Sequence, residues 1–258
     1  MFEARLAQGN ILKLIIDAMK DLVSDANFEC SDNEIAVQAM DSSHVSLITL
    51  CLRKEGFTHY RCDQTLTMGL RMSSIAKILK CADGGDMISL KAEDEGDTLI
   101  LEFENENADR ISNFELKLID LDAEHLDIPE EESQSVISMN SSEFQRLCRD
   151  LGTLGDSCCI SVTKEGVRFS VDGDIGKGSV TLRQGESMEG KNGVSIDMKE
   201  AIEQKFALRY LIMFTKASSL SERVKLTLTN EMPLKVEYTI EGLGNLCFYL
   251  APKMDGDN

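Results

Sequence analysis

The chain has 258 residues, with 45 acidic and 27 basic side chains that give a formal net charge of −18. This length allows two domains that each bury a core, and no apolar run approaches the roughly 18 residues that a membrane span needs. The N-terminus lacks the features of a secretion signal, and the eight cysteines form no Cys-x-x-Cys pair, so we expect a soluble nuclear or cytosolic protein with reduced thiols, no zinc site and no membrane partner.

Alternation of apolar and polar residues dominates the chain and predicts a mostly β protein. Turn signals at residues 83–86, 164–166 and 242–244 separate the strand-like runs and favour antiparallel hairpins. Four segments have helical periodicity instead: residues 10–23, 73–80, 141–151 and 205–217. Two of them begin with a serine pair that we interpret as an N-cap, and Glu143 favours the positive end of the third helix dipole.

The second half of the chain repeats the first, in the order helix, sheet, helix, sheet. Three pairs of corresponding residues are 132 positions apart: Leu14 with Arg146, Ile35 with Val167, and Lys77 with Arg209. The repeat predicts two copies of one α+β domain, residues 1–117 and 135–258.

Residues 118–134 lie between the two predicted domains and are expected to form a surface linker. This segment has seven acidic residues, no Lys or Arg, and Pro129, which interrupts regular structure. A solvated spacer is the default interpretation of such a composition. Leu121, Leu126 and Ile128 are apolar residues that a spacer would not need.

Each predicted helix carries two basic residues, three or seven positions apart, which places the pair on one face opposite the apolar stripe. An ordinary solvated face explains any one pair, and Asp17 and Asp150 are possible ion-pair partners. Four pairs in so acidic a chain favour a common positive surface that contacts phosphates without reading bases. These helix cations are Lys13, Lys20, Lys77, Lys80, Arg146, Arg149, Arg209 and Lys216.

Eight segments carry a family resemblance: residues 1–6 (MFEARL), 39–47 (AMDSSHVSL), 60–63 (YRCD), 77–82 (KILKCA), 116–122 (LKLIDLD), 172–178 (DGDIGKG), 206–211 (FALRYL) and 249–253 (YLAPK). Through them the chain resembles the proliferating cell nuclear antigen family of eukaryotic DNA sliding clamps over essentially its whole length. The resemblance implies a processivity factor of DNA replication and repair that is not an enzyme and uses no cofactor.

The same resemblance implies the clamp fold in a head-to-tail homotrimer, a ring of six similar domains that encircles double-stranded DNA. Helices would line the hole, and sheets would form the outer shell. Edge strands near residues 109–117 and 175–183 would pair across subunits and thereby remove exposed edges. The expected subunit interface includes Ile78, Cys81, Arg110, Phe114 and Gly178.

The resemblance also implies a partner-motif groove between the linker and the C-terminal strands, where a partner inserts a one-turn helix with aromatic anchors. Implied partners are DNA polymerases delta and epsilon, flap endonuclease, DNA ligase and inhibitor peptides. A clamp loader ATPase is also implied, since the chain has no phosphate loop of its own. The matching groove residues are Met40, His44, Val45, Leu47, Leu126, Ile128, Pro129, Pro233, Tyr249, Ala251, Pro252 and Lys253.

Lys164 lies in a predicted hairpin turn and matches the family's acceptor for ubiquitin and SUMO, which implies a role in translesion synthesis. The family also implies a nuclear location. The chain departs from the family pattern at Leu14, where many relatives carry a cation, and at Phe114, which replaces a common tyrosine.

Two alternative functions remain open: an acidic adaptor that uses only the groove, and a carboxylate-dependent hydrolase. Nothing at the level of residues supports the hydrolase. His44, His59 and His125 have no serine or cysteine motif for a triad. Residues 172–183 lack both Walker spacing and the bidentate glutamate of a calcium loop, because Arg183 stands at that position.

Overall fold

The computed structural model describes residues 1–107, 109–122, 126–128, 132–185 and 193–253. This part of the chain forms 18 strands and four α-helices, and neighbouring strands such as β1 and β5, β2 and β6, and β11 and β12 pair antiparallel. The predicted α+β class is therefore confirmed. Among these residues, no helix combines the length and apolarity needed to cross a membrane.

Two compact units make up the chain. The first comprises Met1–Ser42, Ile48–Leu126 and Ile240–Leu246, and the second comprises Ser43–Leu47, Asp127–Thr239 and Cys247–Asn258.

The strands of the N-terminal half form a five-stranded sheet and a run of four neighbouring strands that belongs to a nine-stranded sheet. Its elements are β1 (Phe2–Leu6), α1 (Asn10–Met19), β2 (Asp25–Cys30), β3 (Glu34–Met40), β4 (Ser46–Arg53), β5 (His59–Cys62), β6 (Leu66–Arg71), α2 (Met72–Leu79), β7 (Met87–Ala92), β8 (Thr98–Glu104) and β9 (Ile111–Lys117). The strand orders are β5-β1-β7-β8-β9 and β6-β2-β3-β4.

The C-terminal half repeats this topology. Its elements are β10 (Ser135–Asn140), α3 (Ser141–Gly152), β11 (Ser157–Thr163), β12 (Gly166–Gly173), β13 (Gly176–Leu182), β14 (Ser195–Met198), β15 (Ile202–Ala207), α4 (Leu208–Phe214), β16 (Arg223–Leu228), β17 (Leu234–Ile240) and β18 (Gly244–Leu250). The orders β14-β10-β16-β17-β18 and β15-β11-β12-β13 correspond strand by strand to those of the first half. The internal repeat is thus structural, but its offset is not constant: Asn27 and Cys159 are equivalent at 132 residues, whereas their partners Gly69 and Lys205 are 136 apart, so Lys77 and Arg209 do not correspond in the structure.

The end of α1 at Met19, both ends of α4 and the two serine caps differ from the predictions. Residues 205–207 belong to β15, whose alternating burial and pairing with β11 place Lys205 opposite Cys159, so tertiary pairing overrides the helical periodicity there. α3 is capped by Asn140, whose Oδ1 accepts a hydrogen bond from the Ser142 N–H at 2.9 Å. α2 begins at Met72 with no side-chain cap bond, so the serine-pair interpretation was wrong for both helices.

Each helix buries one apolar face, as its periodicity predicts. α1 buries Leu12, Ile15 and Ile16, whereas α3 buries Phe144 and Leu147. Burial of each such side chain contributes about 1.5–3 kcal/mol. This large gain fixes which face turns toward the core, and the polar residues on the opposite face are therefore left toward solvent.

Candidate functional site

The helix cations of the first unit lie opposite its buried helix faces. Lys77 and Lys80 are exposed, and Lys13 and Lys20 are half-buried. Lys20 forms an ion pair with Asp17, whereas Lys13, Lys77 and Lys80 have no ion pair within the described part of the chain. Because surface ion pairs contribute only about 0–1 kcal/mol, the pair with Asp17 leaves Lys20 able to exchange its partner for a phosphate.

The helix cations of the second unit are all exposed. Arg146 and Arg149 each lie 3.5 Å from Asp150 and share this one carboxylate. The guanidinium of Arg209 stacks 4.8 Å above the Tyr210 ring, which fixes its direction without neutralising its charge. The single carboxylate of Asp150 can neutralise only one of the two arginines at a time.

The helix surfaces are suited to phosphate contact rather than base recognition. Gln145, the amide side chain on α3, donates a 3.1 Å hydrogen bond to the Thr215 carbonyl and is thereby held to its own unit. Base reading requires paired donors and acceptors that reach into a groove. The long, separate cations can instead neutralise phosphates of any sequence.

The linker is held against the first unit by residues that the sequence analysis missed. The Ile119 N–H donates to the Gly69 carbonyl at 3.0 Å, and the Asn27 amide donates to the Leu121 carbonyl at 3.3 Å. A Cβ on Gly69 would lie only 1.9 Å from the Ile119 carbonyl oxygen. A glycine inside a strand pattern signals such a close approach of backbones, and this signal was available in the sequence.

Leu126 is fixed by a two-point amide contact. The Gln38 side chain donates to the Leu126 carbonyl at 2.9 Å and accepts from the Leu126 N–H at 2.7 Å. Leu126 itself is 38% exposed. The contact therefore orders the backbone while it leaves an apolar side chain available at the surface.

The predicted groove residues are distributed between the two units. Met40 and Leu126 belong to the first unit, Pro129 lies outside the described residues, and the others belong to the second unit. In the second unit, the Ala251 N–H donates to the Val45 carbonyl at 3.0 Å. Its half-buried groove residues are Val45, Leu47, Ile128, Tyr249, Ala251, Pro252 and Lys253, and its exposed ones are His44 and Pro233.

His44 has a φ of +55°, a left-handed conformation that is uncommon for a residue with a side chain. Such strained positions concentrate at binding sites and switch regions. The backbone conformation of His44 is thus a reason, separate from any side chain, to consider this loop part of a binding site.

β9 and β13 are edge strands of their respective sheets, each with one neighbour among the described strands. Exposed apolar side chains mark both edges, and the sequence analysis missed them: Ile111 on β9 is 56% exposed, Val180 on β13 is 36% exposed, and Ile175 beside β13 is 76% exposed. Long edges with apolar side chains favour pairing with another chain.

The five predicted interface residues lie at or near these edges. Arg110 contacts Asp83 at 2.6 Å and Asp86 at 3.1 Å, and the Phe114 ring lies 5.3 Å from that of Phe103. The other three are Cys81, which is exposed, and Ile78 and Gly178, which are half-buried.

Lys164 occupies a two-residue hairpin turn between β11 and β12, where Thr163 pairs with Gly166. Its side chain is exposed. Gly166 has a φ of +140°, a conformation that only glycine adopts readily, and it allows the tight turn that presents Lys164.

The buried thiols are not prepared for nucleophilic chemistry. Burial raises the pKa of Cys158 to about 12 and raises the pKa values of Cys30 and Cys148 well above the ordinary range. Burial and the neighbouring Glu34 raise the pKa of Cys51 to about 11. Because the thiolate is the reactive form, these four cysteines are inert near neutral pH.

Comparisons with known proteins cover nearly the whole chain. Residues 1–125 match a family model described as the N-terminal domain of proliferating cell nuclear antigen, and residues 127–253 match that of its C-terminal domain. The proliferating cell nuclear antigen of Chaetomium thermophilum is similar, with 50% identity over 258 residues, which is 100% of both chains. The two matched ranges agree with the two halves that share one topology.

Proposed function

Because the chain belongs to the proliferating cell nuclear antigen family, and is therefore a non-enzymatic DNA sliding clamp, we propose that its helix cations face the encircled duplex. Family membership also implies a homotrimer that works with polymerases. The observation that carries the proposal is the position of the eight helix cations, opposite the buried helix faces of a chain whose net charge is −18.

The charge distribution suits sliding. Exposed charges are screened over about 8 Å at physiological salt, so DNA responds to the local cations rather than to the net charge. Scattered single contacts to phosphates carry no sequence preference and are individually weak. A closed ring on such a surface can therefore move along the duplex, while the acidic exterior repels DNA.

The internal repeat supports a head-to-tail contact between β9 of one subunit and β13 of the next. Within the first unit, the Arg53 N–H at the end of β4 donates to the carbonyl of Leu243, just before β18, at 2.8 Å. The repeat makes β13 the counterpart of β4, and β9 the counterpart of β18. β4 and β18 are neighbours in their sheet, whereas their counterparts β13 and β9 each lie at a free edge. The free edge of β13 in one subunit would therefore pair with that of β9 in the next. Repetition of this contact by rotation closes the subunits into a ring.

The linker and the strand ends would form the partner-motif groove. In the first unit Gln38 orders Leu126, whose side chain stays exposed; in the second unit Ala251 is held on Val45, and other groove residues are half-buried. Ordered backbone with accessible apolar surface favours a short helix with aromatic anchors. The partners that we propose for this groove are polymerases delta and epsilon, flap endonuclease, DNA ligase and inhibitor peptides.

Three further assignments follow from the family and stay proposals. A separate clamp loader ATPase would open the ring. Lys164, exposed in its turn, would accept ubiquitin or SUMO and so direct translesion synthesis. The protein would act in the nucleus.

The test of the DNA-facing surface replaces Lys20, Lys77, Arg149 and Lys216 by alanine. We expect weaker retention on DNA, less polymerase stimulation and a shallower dependence of binding on salt, because fewer counterions are released. Thermal stability should change little, since these residues are not buried. The measurements are clamp occupancy on closed circular DNA and primer extension at several salt concentrations.

The matched control replaces four exposed cations that lie outside the four α-helices and are not among the eight helix cations, with the same change of net charge: Arg53, Lys54, Lys199 and Lys225. It should retain the behaviour of the unchanged clamp. Equal loss in both variants, or in neither, contradicts the assignment of the helix surface. Molar mass in solution tests the ring itself, since the trimer requires three times 28.6 kDa and a persistent monomer excludes it.

A further inference from the structure

The turn between β16 and β17 leads directly into one of the predicted groove residues. Residues 229–232 form this turn, in which the Met232 N–H donates to the Thr229 carbonyl at 3.2 Å. Pro233 follows the turn and is exposed. Because β17 and β18 are neighbouring strands joined by a short turn, the start of β17 lies beside the end of β18, which carries the predicted groove residue Tyr249. The conformation of the turn therefore decides where Pro233 lies relative to the C-terminal part of the groove.

Two glutamine side chains from other parts of the second unit hold this turn. The Gln204 amide on β15 donates to the Thr229 carbonyl at 3.2 Å and to the Met232 carbonyl at 3.4 Å. The Gln134 side-chain oxygen accepts a hydrogen bond from the Asn230 N–H at 2.9 Å. The backbone of the turn is therefore fixed by side chains that do not belong to it, and Gln204 contacts both of its ends.

The turn has a backbone conformation that its own sequence does not favour. Glu231 has a φ of +60°, at a turn position that usually takes glycine or asparagine. Other residues keep this conformation only where the surrounding structure fixes it. In the first unit, the corresponding turn is residues 93–96, where the Gly96 N–H donates to the Glu93 carbonyl at 3.1 Å, and no residue of this fully described turn has a positive φ. Removal of the support from Gln204 should therefore let the second unit's turn relax.

The first unit shows that the fold itself does not require an amide at this place. Gln204 pairs with Ile160 across β15 and β11, and the equivalent Met68 pairs with Phe28 across β6 and β2. Both side chains are buried, with Met68 1% and Gln204 9% exposed. Among the described residues, the Gln204 side-chain oxygen has no hydrogen-bond partner, and burial of such an oxygen is unfavourable. A glutamine here thus stabilises the fold less than a methionine would, and what it adds is the support of the turn.

We propose that Gln204 is a positioning residue of the partner-motif groove: its amide fixes the turn of residues 229–232 and thereby keeps Pro233 in place for an incoming partner. This inference rests on the proposed groove. β15 also holds a second groove segment, since the Lys205 carbonyl accepts a hydrogen bond from the Lys253 N–H at 2.8 Å. A groove that is ordered before its partner arrives loses less freedom on binding, and this raises the affinity.

The test variant is Gln204→Met, which removes the amide and inserts the residue that the first unit buries at the equivalent position. Its melting temperature should lie close to that of the unchanged protein, because Met68 shows that this environment accommodates methionine. A labelled inhibitor peptide whose one-turn helix carries two aromatic anchors should bind about fivefold more weakly, since the relaxed turn must be ordered on binding. Fluorescence anisotropy measures the affinity, and hydrogen exchange of the Met232 N–H should accelerate.

A double-mutant cycle with Pro233→Ala distinguishes positioning from a general loss of structure. If Gln204 acts through the turn that carries Pro233, Gln204→Met should weaken peptide binding by less than about twofold once Pro233 is already alanine. The matched control is Gln145→Met, which removes an amide that donates to the Thr215 carbonyl at 3.1 Å elsewhere in the second unit. This control should bind the peptide as the unchanged chain does.

Equal peptide affinity of Gln204→Met and the unchanged protein overturns the role of Gln204, as does an equal loss in both backgrounds of the cycle. A loss of the same size in Gln145→Met also overturns it, because the effect would then not be specific to the turn. Absence of peptide binding to the unchanged protein overturns the groove itself and is recognised before any variant is compared. Gln204→Met should still form trimers and stay on closed circular DNA, so a failure of the clamp function is recognised separately.

Discussion

Replacement of Gly69 by alanine is expected to release the linker from the first unit. The added Cβ would lie 1.9 Å from the Ile119 carbonyl oxygen, whereas real contacts of this kind are not below 3.0 Å. The two backbones must therefore separate by about 1 Å, which breaks the 3.0 Å hydrogen bond between Ile119 and Gly69. Because Gly69 is fixed within β6 by its pairing with β2, the linker is the side that moves.

The expected cost is about 2 kcal/mol. A lost hydrogen bond costs about 0.5–1.5 kcal/mol and overpacking about 1–3 kcal/mol, and the smaller chain entropy of alanine in the unfolded state offsets about 0.4–1 kcal/mol. For a chain of this size, 1 kcal/mol shifts the melting temperature by about 2–4 °C. We therefore expect the melting temperature of Gly69→Ala to fall by about 6 °C.

The assay combines thermal unfolding with hydrogen exchange of the linker amides. Exchange should accelerate at Ile119 and stay unchanged in α1, which the substitution does not touch. Gly84→Ala is the matched control, because a Cβ there meets nothing within 4 Å. If the two variants melt within 1 °C of each other and linker exchange is unaltered, the close approach at Gly69 is refuted.

Three other predictions concern a cap, a thiol and an edge. Asn140→Ala should cost about 1 kcal/mol because α3 loses its cap bond, whereas Ser73→Ala should not destabilise, as measured by thermal melting. Burial raises the pKa of Cys158 to about 12, so this thiol stays protonated at pH 8; mass spectrometry of alkylated native protein should therefore show Cys158 unmodified, and its labelling before unfolding would contradict this. Ile111→Asp should shift the trimer toward monomer by light scattering, because a charge replaces a 56% exposed apolar side chain at the β9 edge; an intact trimer at high dilution would count against the edge contact.

Local patterns in the sequence predicted the fold class and the internal repeat. Apolar residues recur every second position in a strand and every three or four positions in a helix, on the side that is buried. The α+β class and the two-fold repeat could therefore be recognised without coordinates. The positions of the helix cations could be predicted in the same way, because they lie on the face opposite the apolar one. Family resemblance supplied the clamp function, which the comparisons confirm.

Contacts between distant residues could not be predicted. Gln38 and Leu126 are 88 positions apart and Asn27 and Leu121 are 94 apart, and no local pattern identifies such hydrogen-bond partners. The start of α4 was misplaced for the same reason, since pairing with β11 draws Lys205 into a strand.

The sequence alone therefore determined which faces of the elements are buried and which carry charge. Only the tertiary structure decided that the acidic linker bonds to β2 and β6, while the corresponding strands of the second unit present Lys205 to solvent. The physical reason is that burial depends on the periodicity of neighbouring residues, whereas hydrogen bonding and charge pairing depend on which distant segments folding brings within a few ångströms.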